Sequence, residues 1–109
     1  MKDCEVVTKY IVRNKKFYIV RFTNDDGNKL YGAIDFDYVE NGKLTRQLNG
    51  VQMHVSADLN QCIEYTRTSV EFDYFVSQGL TNAQAFEKVF NTKLTDRARD
   101  ILNNESKVI

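Results

Sequence analysis

The sequence has no net charge, a single histidine and only two cysteines. Fifteen basic residues are balanced by fifteen acidic ones, whereas proteins that bind mainly the phosphate backbone carry a basic excess. One histidine and two widely separated cysteines do not make up the ligand set of a zinc site. The composition therefore argues against phosphate-backbone binding as the main activity, and we expect no metal and no cofactor.

Cysteine is also too sparse for a disulfide framework. Cys4 and Cys62 lie far apart in the sequence and outside any metal-ligand spacing. We expect two free thiols in a reducing compartment. A disulfide between the two cysteines remains an alternative.

Long apolar runs, glycine-rich loops, repeats and linkers are all missing. Asp3 and Glu5 occupy the place where a secretory signal would have an apolar core, and no apolar run reaches membrane-spanning length. The five glycines are isolated, so there is no phosphate-binding loop. We predict a cytoplasmic protein without membrane contact, folded as a single α+β domain over residues 1–109.

Alternating apolar residues and turn signals predict strands throughout the first half. The predicted strands are residues 5–13, 16–23, 30–39, 43–48 and 51–55. Asn14-Lys15, residues 24–28 and Asn41-Gly42 are typical turn sequences. Asn49-Gly50 indicates either a bulge or a further turn. The pattern predicts an antiparallel β-meander of four to five strands.

The second half changes to helical periodicity. A long helix is predicted within Ser56–Gly79, capped by Ser56 or Asp58 and ended by Gly79. Two shorter helices are predicted at Thr81–Phe90 and Leu94–Asn103. The predicted fold is therefore a meander followed by one long and two short helices that pack on one face of the sheet.

The two faces of the predicted sheet differ in polarity. Tyr18, Val20, Phe22 and Ile34 belong to the more apolar face, which we expect to meet the helices. The opposite face then mixes apolar and charged groups, more apolar than a solvated face needs. We interpret it as a surface for another protein or a second copy, with these candidate residues: Ile11, Phe17, Ile19, Arg21, Tyr31, Asp35 and Asp37.

Two other interpretations of that outer face remain open. Residues 1–24 hold six basic and two acidic groups, and residues 25–41 hold one basic and five acidic groups. Cross-strand ion pairs between the two segments would neutralise the face without any partner. Alternatively, the C-terminal segment of the chain covers it.

A basic, aromatic cluster around the first hairpin supports a second function. Basic groups next to aromatic rings can hold single-stranded nucleic acid by ion pairing and stacking. The aromatic members are Phe17, Tyr18 and Tyr31. The candidate basic residues are Lys9, Arg13, Lys15, Lys16 and Arg21.

Two motifs have a possible chemical meaning beside a simpler structural one. His54 could meet Asp58 or Cys62 as a base, although an exposed strand histidine explains it equally. Residues 25–28, Asp-Asp-Gly-Asn, resemble part of a calcium loop but lack its full pattern. We interpret them as a hairpin turn.

The second half of the long helix is more apolar than one contact surface requires. Phe72, Phe75 and Val76 extend the apolar stripe more than halfway round the helix. We predict that Phe86 and Phe90 of the next helix cover it. A second copy or another protein is the alternative.

Taken together, these features predict a small regulatory or protein-binding module rather than an enzyme. A concrete form is a phage or mobile-element accessory protein that inhibits a host enzyme, such as an anti-CRISPR. That form rests on small size, ten asparagines and the lack of recognisable chemistry. The expected partner is another protein, with homodimerisation and single-stranded nucleic acid as alternatives.

Overall fold

A computed structural model describes residues 2–41, 43–44 and 54–105 of the chain. The chain divides into two compact units, residues 1–67 and 68–109. The boundary between the two units lies inside the longest helix. The chain is an α+β protein with an antiparallel sheet followed by three helices. That residues 1–109 form a single domain stays a prediction. No helix in the described ranges has the length and apolarity to cross a membrane.

The first unit is built on a three-stranded antiparallel sheet in the order β1-β2-β3. A separate hairpin of two short strands follows. The strands are β1 Lys2–Val12, β2 Lys15–Thr23, β3 Lys29–Asp35, β4 Val39–Glu40 and β5 Lys43–Leu44, with a 3-10 turn at Phe36–Tyr38 before β4. The helices are α1 Leu59–Ser77, α2 Asn82–Phe90 and α3 Asp96–Glu105.

The predicted meander is confirmed only in part. Three strands form one sheet, but β4 and β5 pair with each other instead of extending it. The predicted strand at 43–48 is observed over Lys43–Leu44, and its remainder lies outside the described residues. Residues 51–53 lie outside them as well. Ser56 makes a single bridge to Tyr31 at the outer edge of β3.

Local sequence explains both turns of the sheet. Arg13 and Asn14 have φ angles of 46° and 64°, which is the positive-φ pair that a two-residue hairpin turn requires. The turn therefore lies one residue earlier than predicted. In the second turn, the Asn24 side-chain oxygen accepts the N–H groups of Asp26 and Asn28 at 3.0 and 2.9 Å. These bonds confirm residues 24–28 as a turn.

The central strand β2 is buried on both faces. Ile19 and Val20 are adjacent, point to opposite faces, and are each 0% exposed. Val20 packs with Phe22 and Ile34, together with Tyr38 and other partly buried side chains. On the opposite face Ile19 packs with a different set of residues: Ala33, Cys62, Tyr10, Phe17, Tyr31, Leu59 and Ile63.

The first turns of α1 therefore lie on the sheet face that we predicted to be the outer one. Cys62 and the neighbouring residues of α1 pack against Ile19 and Ala33, not against Val20. The polar residues that misled the prediction, Arg21 and Asp35, are paired with Tyr31 and Phe17 on either side of the Ile19–Ala33 pair. At those end positions Arg21 and Asp35 reach solvent, while α1 covers the apolar centre of the face. The average polarity of the face therefore did not indicate which face the helix covers.

Two polar residues before α1 together cap its first turn. The Asp58 carboxylate accepts the Gln61 N–H at 2.9 Å. The Ser56 hydroxyl accepts the Asp58 N–H at 3.1 Å and donates to the Gln61 side-chain oxygen at 2.8 Å. Both predicted capping residues are thus used, because Ser56 extends the cap that Asp58 begins.

The second unit begins within α1 and continues through two capped helices. Gly79, with φ of 97°, follows the end of α1 as predicted. Thr81 and Gln84 form the capping box of α2. Between α2 and α3, Asn82 Nδ2 donates to the Leu102 carbonyl at 3.2 Å.

Glu87 is the main ionic link between α2 and the chain that follows it. Its carboxylate accepts the Leu94 N–H at 2.9 Å and Arg99 Nη2 at 3.0 Å. The hydrogen bonds from Arg99 and Leu94 lower the pKa of Glu87 below its ordinary value. Only 18% of this side chain is exposed. The link holds α3 in place through charge-assisted hydrogen bonds.

The expected covering of α1 concerns two aromatic residues of α2, Phe86 and Phe90. Phe90 is 50% exposed, and its ring packs on Phe86 one turn earlier in α2, at 4.6 Å between centroids. It is Lys88 whose ammonium lies 5.1 Å from the centre of the Phe75 ring. Phe86 and Phe90 lie one turn apart on the same helix face and pack on each other. That they cover α1 stays a prediction.

Candidate protein-binding surface

The first hairpin, β1 and β2, carries most of the predicted binding residues, and its geometry depends on a bulge. Val6 pairs with Val20 and Thr8 pairs with Ile19, so Val7 is an extra residue in β1. An extra residue moves all following side chains to the opposite face. Lys9 and Ile11 therefore lie on the Val20 side of the sheet instead of the Ile19 side.

We define the hairpin surface as Lys9, Ile11, Arg13, Lys15 and Lys16, all of which are exposed. Ile11 is 58% exposed and lies directly opposite Lys16 in the strand register. Lys9 precedes Ile11 by two residues in β1, which places it on the same face. A large apolar side chain is thus flanked by two ammonium groups at one end of the sheet.

Three residues of the predicted binding surface belong instead to the core. Ile19 is fully buried, and the expectation that it would be exposed was wrong. Phe17 and Tyr31 are half-buried and pack against the same cluster. They are held there because α1 covers this face of the sheet.

The remaining predicted residues are placed away from Ile11. Arg21 forms an ion pair with Glu5 on the neighbouring strand, whereas the sequence suggested Asp35 or Asp37 as its partner. Asp35 is exposed and pairs in register with Phe17, on the face opposite to Lys9. Asp37 is exposed in the 3-10 turn. The structure thus does not gather the seven predicted residues on one face.

Arg21 and Glu5 also line an open cavity of about 190 Å³ at the far end of the sheet from the first turn. Its lining consists of Asp3, Glu5, Arg21, Phe22, Thr23 and Lys29. The lining includes two acidic and two basic side chains, and two of these, Arg21 and Glu5, form an ion pair. We assign no ligand to this cavity.

The aromatic residues near the basic cluster are occupied by packing. Tyr18 stacks on Phe36 with 4.3 Å between ring centroids and 21° between planes. Phe17 and Tyr31 pack in the Ile19 cluster. A base that stacked on any of these rings would have to displace an existing contact, which weakens the analogy with single-strand-binding surfaces.

His54 and Cys62 are close together, but through the histidine main chain. The Cys62 thiol donates to the His54 carbonyl oxygen at 3.0 Å. Burial raises the pKa of this thiol to about 11, so it is protonated at neutral pH. His54 is half-buried and lies outside a strand, where we expected an exposed strand residue. This geometry gives Cys62 a structural role, since a nucleophilic cysteine needs a lowered pKa.

The two cysteines lie on opposite faces of the sheet. Cys4 packs with Val20, and Cys62 packs with Ile19. Both are free thiols. Because the sheet separates them, they are not placed to form a disulfide within one chain, and the expectation of two free thiols is confirmed.

No cluster of three or more histidine, cysteine, aspartate or glutamate side chains is found among the described residues. Asn24 already explains the turn that resembles a calcium loop, since its side chain accepts the N–H groups of Asp26 and Asn28. A candidate metal site is therefore not identified in this part of the chain.

The sequence contained one signal of the hairpin geometry that we did not use. Val6 and Val7 are consecutive apolar residues in a strand that alternates only imperfectly. Such a break in alternation is typical of a bulge. Reading it as one would have moved Lys9 and Ile11 to the correct face. The Arg21–Glu5 ion pair depends on the register between β1 and β2. No feature of the sequence indicated it.

Comparison with known proteins gives no further guide to this surface. No protein-family model, no curated protein and no solved structure matches the chain.

Proposed function

We propose that this protein is a non-enzymatic cytoplasmic module that binds another protein through the hairpin surface. The supporting observation is Ile11, an isoleucine 58% exposed and flanked by Lys9 and Lys16 on the same face. A large apolar side chain surrounded by charge is typical of a protein contact, in which the apolar group is buried and the charges set orientation and association rate.

The fold supports a hairpin that is presented rigidly to a partner. β2 is anchored on both sides by Ile19 and Val20, each fully buried. The turn residues Arg13 and Asn14 adopt the conformation of a tight two-residue connection. A partner would therefore meet a surface whose backbone is already ordered, which lowers the entropy cost of binding.

A phage or mobile-element inhibitor of a host enzyme, such as an anti-CRISPR, is a concrete form of this proposal. Its support is the asparagine-rich composition. The outer sheet face proposed from the sequence contributes less, because its centre at Ile19 is buried. The hairpin surface keeps Ile11 of that first proposal and joins it to the basic residues that the sequence suggested for nucleic-acid binding.

Single-strand nucleic-acid binding is a second candidate, favoured by the four exposed basic residues of the hairpin surface. Electrostatic attraction to phosphates would be strongest at low salt. The occupied rings of Tyr18 and Phe36 reduce the stacking contribution. We therefore rank it below protein binding.

The proposal is tested by affinity capture from a nuclease-treated lysate of the source cell. Wild-type protein should retain a defined protein, and the double variant Ile11→Glu, Lys16→Glu should lose it. The double variant Asp26→Lys, Lys29→Glu serves as the matched control, because it alters exposed charges near the opposite end of the sheet. Equal capture by all three proteins would contradict the proposal.

Nucleic-acid binding is measured separately with a labelled single strand. If that function holds, binding should weaken with salt and with Lys15→Glu plus Lys16→Glu. No binding at low salt would end the second candidate. Capture of a partner that vanishes after nuclease treatment would favour it over protein binding.

A further inference from the structure

The outer edge of β1 lies beside the hairpin surface and differs from the outer edge of β3. The sheet order places β1 and β3 at its two edges. At β3, Tyr31 exchanges two backbone hydrogen bonds with Ser56, at 2.7 and 2.9 Å. Within the described ranges no strand pairs with the outer edge of β1. An exposed strand edge offers a row of backbone donors and acceptors to an incoming strand.

The regular part of this edge coincides with the exposed apolar side chain. Residues Thr8–Val12 pair without interruption with Lys15–Ile19. The preceding part of β1 has two register shifts, and Asp3 has a φ of 52°. Bulges bend a strand and hinder pairing at its edge. A partner strand therefore fits best along Thr8–Val12, next to Ile11.

The charges around this segment determine which partner suits it. Lys9 and Lys16 flank Ile11 on one face, and Lys15 pairs with Val12 toward the other. Arg13 is exposed in the adjoining turn. An incoming strand with carboxylates near these cations and an apolar side chain next to Ile11 would complement both features.

We infer that the partner presents an extended acidic segment, which adds as a strand to the outer edge of β1 along Thr8–Val12. This rests on the proposed protein-binding function and names the chemistry of the partner. The main-chain hydrogen bonds of the added strand supply affinity. The side chains on one face of that strand supply selectivity, with an apolar residue beside Ile11 and a carboxylate beside Lys9. Lys16, across β1 on β2, adds to the positive charge of the same face.

Two other occupants of the edge fit less well. A second copy pairing β1 with β1 along this segment would bring the lysines of two hairpins together, and like charges across strands are destabilising. Nucleic acid would complement the positive charge, but its phosphates would make no apolar contact with Ile11. The Tyr18 ring is already stacked on Phe36 and is not free to stack on a base. Both remain outcomes of the test below.

The probe is a short fluorescein-labelled peptide with threonine at every second position and glutamate and valine alternating at the positions between, so that one strand face carries both carboxylates and apolar side chains. Its binding is measured by fluorescence anisotropy at low salt. We expect binding that weakens as salt rises. Replacing Ile11 by Glu should weaken it by about tenfold or more, since the buried apolar contact is lost. Lys16→Glu should weaken it by about fivefold to tenfold, while Lys29→Glu should have little effect.

Backbone pairing is tested by two further probes. A peptide with N-methylated amides on alternate residues should bind at least about tenfold more weakly, because its edge donors are blocked. Amide hydrogen exchange should slow within Thr8–Val12 when the unmodified peptide is added. Circular dichroism melting of each variant checks that it is folded, and Ile11→Ala provides a milder variant if Ile11→Glu is not.

Several results would overturn the inference. These are no binding at millimolar peptide, equal binding of the same peptide with lysine in place of every glutamate, or equal binding of the N-methylated peptide. Displacement of the peptide by a single-stranded oligonucleotide would favour nucleic acid, and concentration-dependent dimerisation blocked by Lys9→Glu would favour a second copy. If a captured partner depends on the hairpin surface yet is not displaced by the peptide, the proposed function stands and this inference fails.

Discussion

Ile11 and Ile19 lie on neighbouring strands, yet one is 58% exposed and the other 0% exposed. The difference comes from what covers each residue. Ile19 lies at the centre of the sheet, under α1, with Ala33 and Cys62 around it. Ile11 lies past the bulge at Val7, on the other face and near the turn. Two isoleucines of equal hydrophobicity thus differ in their surroundings: Ile19 belongs to the core, and Ile11 lies on the surface.

Truncating each isoleucine to alanine gives the largest expected difference. Ile19→Ala should lower the free energy of unfolding by about 2–5 kcal/mol, through lost burial and the cavity left behind. Ile11→Ala should change it by no more than about 0.5 kcal/mol, because the side chain is mostly in water. Urea unfolding followed by circular dichroism measures both. Comparable losses would show that Ile11 is covered and would remove the basis of the hairpin surface.

The hairpin end should depend more on backbone conformation than on side-chain burial. Asn14→Val places a β-branched residue at a φ of 64° and should cost about 1–2 kcal/mol. Asn14→Gly is the control, expected to stay close to wild type since glycine accepts this conformation. Urea unfolding again reports the effect. Equal stability of the two variants would contradict the positive-φ turn.

Beneath the sheet centre, Cys62 gives a pH-dependent test of burial. Its pKa is raised to about 11 from an ordinary value of 9.0, so the unfolded chain loses this proton first. The thiol therefore favours the folded state below pH 9, and its contribution is lost as pH rises from about 9 to about 11. The difference in stability between wild type and Cys62→Ser should shrink across that window. A constant difference would argue against a buried thiol.

Reactivity with a thiol reagent checks the same residue directly. Cys62 in a Cys4→Ser background should react slowly in the native protein and quickly in urea, because the thiol is buried and protonated. The reverse background, Cys62→Ser, reports on the half-buried Cys4. Rapid native labelling of Cys62 would contradict its position under the sheet.

The smallest expected effect on stability concerns Glu87, which lies in the second unit and outside the sheet. Glu87 has a lowered pKa because Arg99 and Leu94 donate hydrogen bonds to it. Its contribution is fully present above the unfolded-state pKa and is lost as pH falls through the lower folded-state pKa. Glu87→Gln should lower the melting temperature at neutral pH and reduce the difference from wild type in acid. Asp100→Asn, at an exposed position of α3, tests whether removing any negative charge from this unit has the same effect.

Much of the local structure could be predicted because it depends on neighbouring residues. The Asn24 turn, the Asp58 cap, Gly79 and the Thr81 capping box all follow from short-range hydrogen bonds or φ preferences. The α+β order follows from the change in apolar period. The candidate site was predicted less well, because exposure depends on elements distant in sequence.

The sequence by itself determined the first three strands, the helix caps and the basic character of the first hairpin, since each is set by residues within a few positions of one another. Tertiary structure alone decided which sheet face α1 covers and on which side Lys9 and Ile11 emerge. The reason is physical: one extra residue at Val7 reverses the side chains that follow, and a helix covers the apolar centre of a face whatever its polar ends suggest. Ile19 was thereby assigned to the core and Ile11 to the surface.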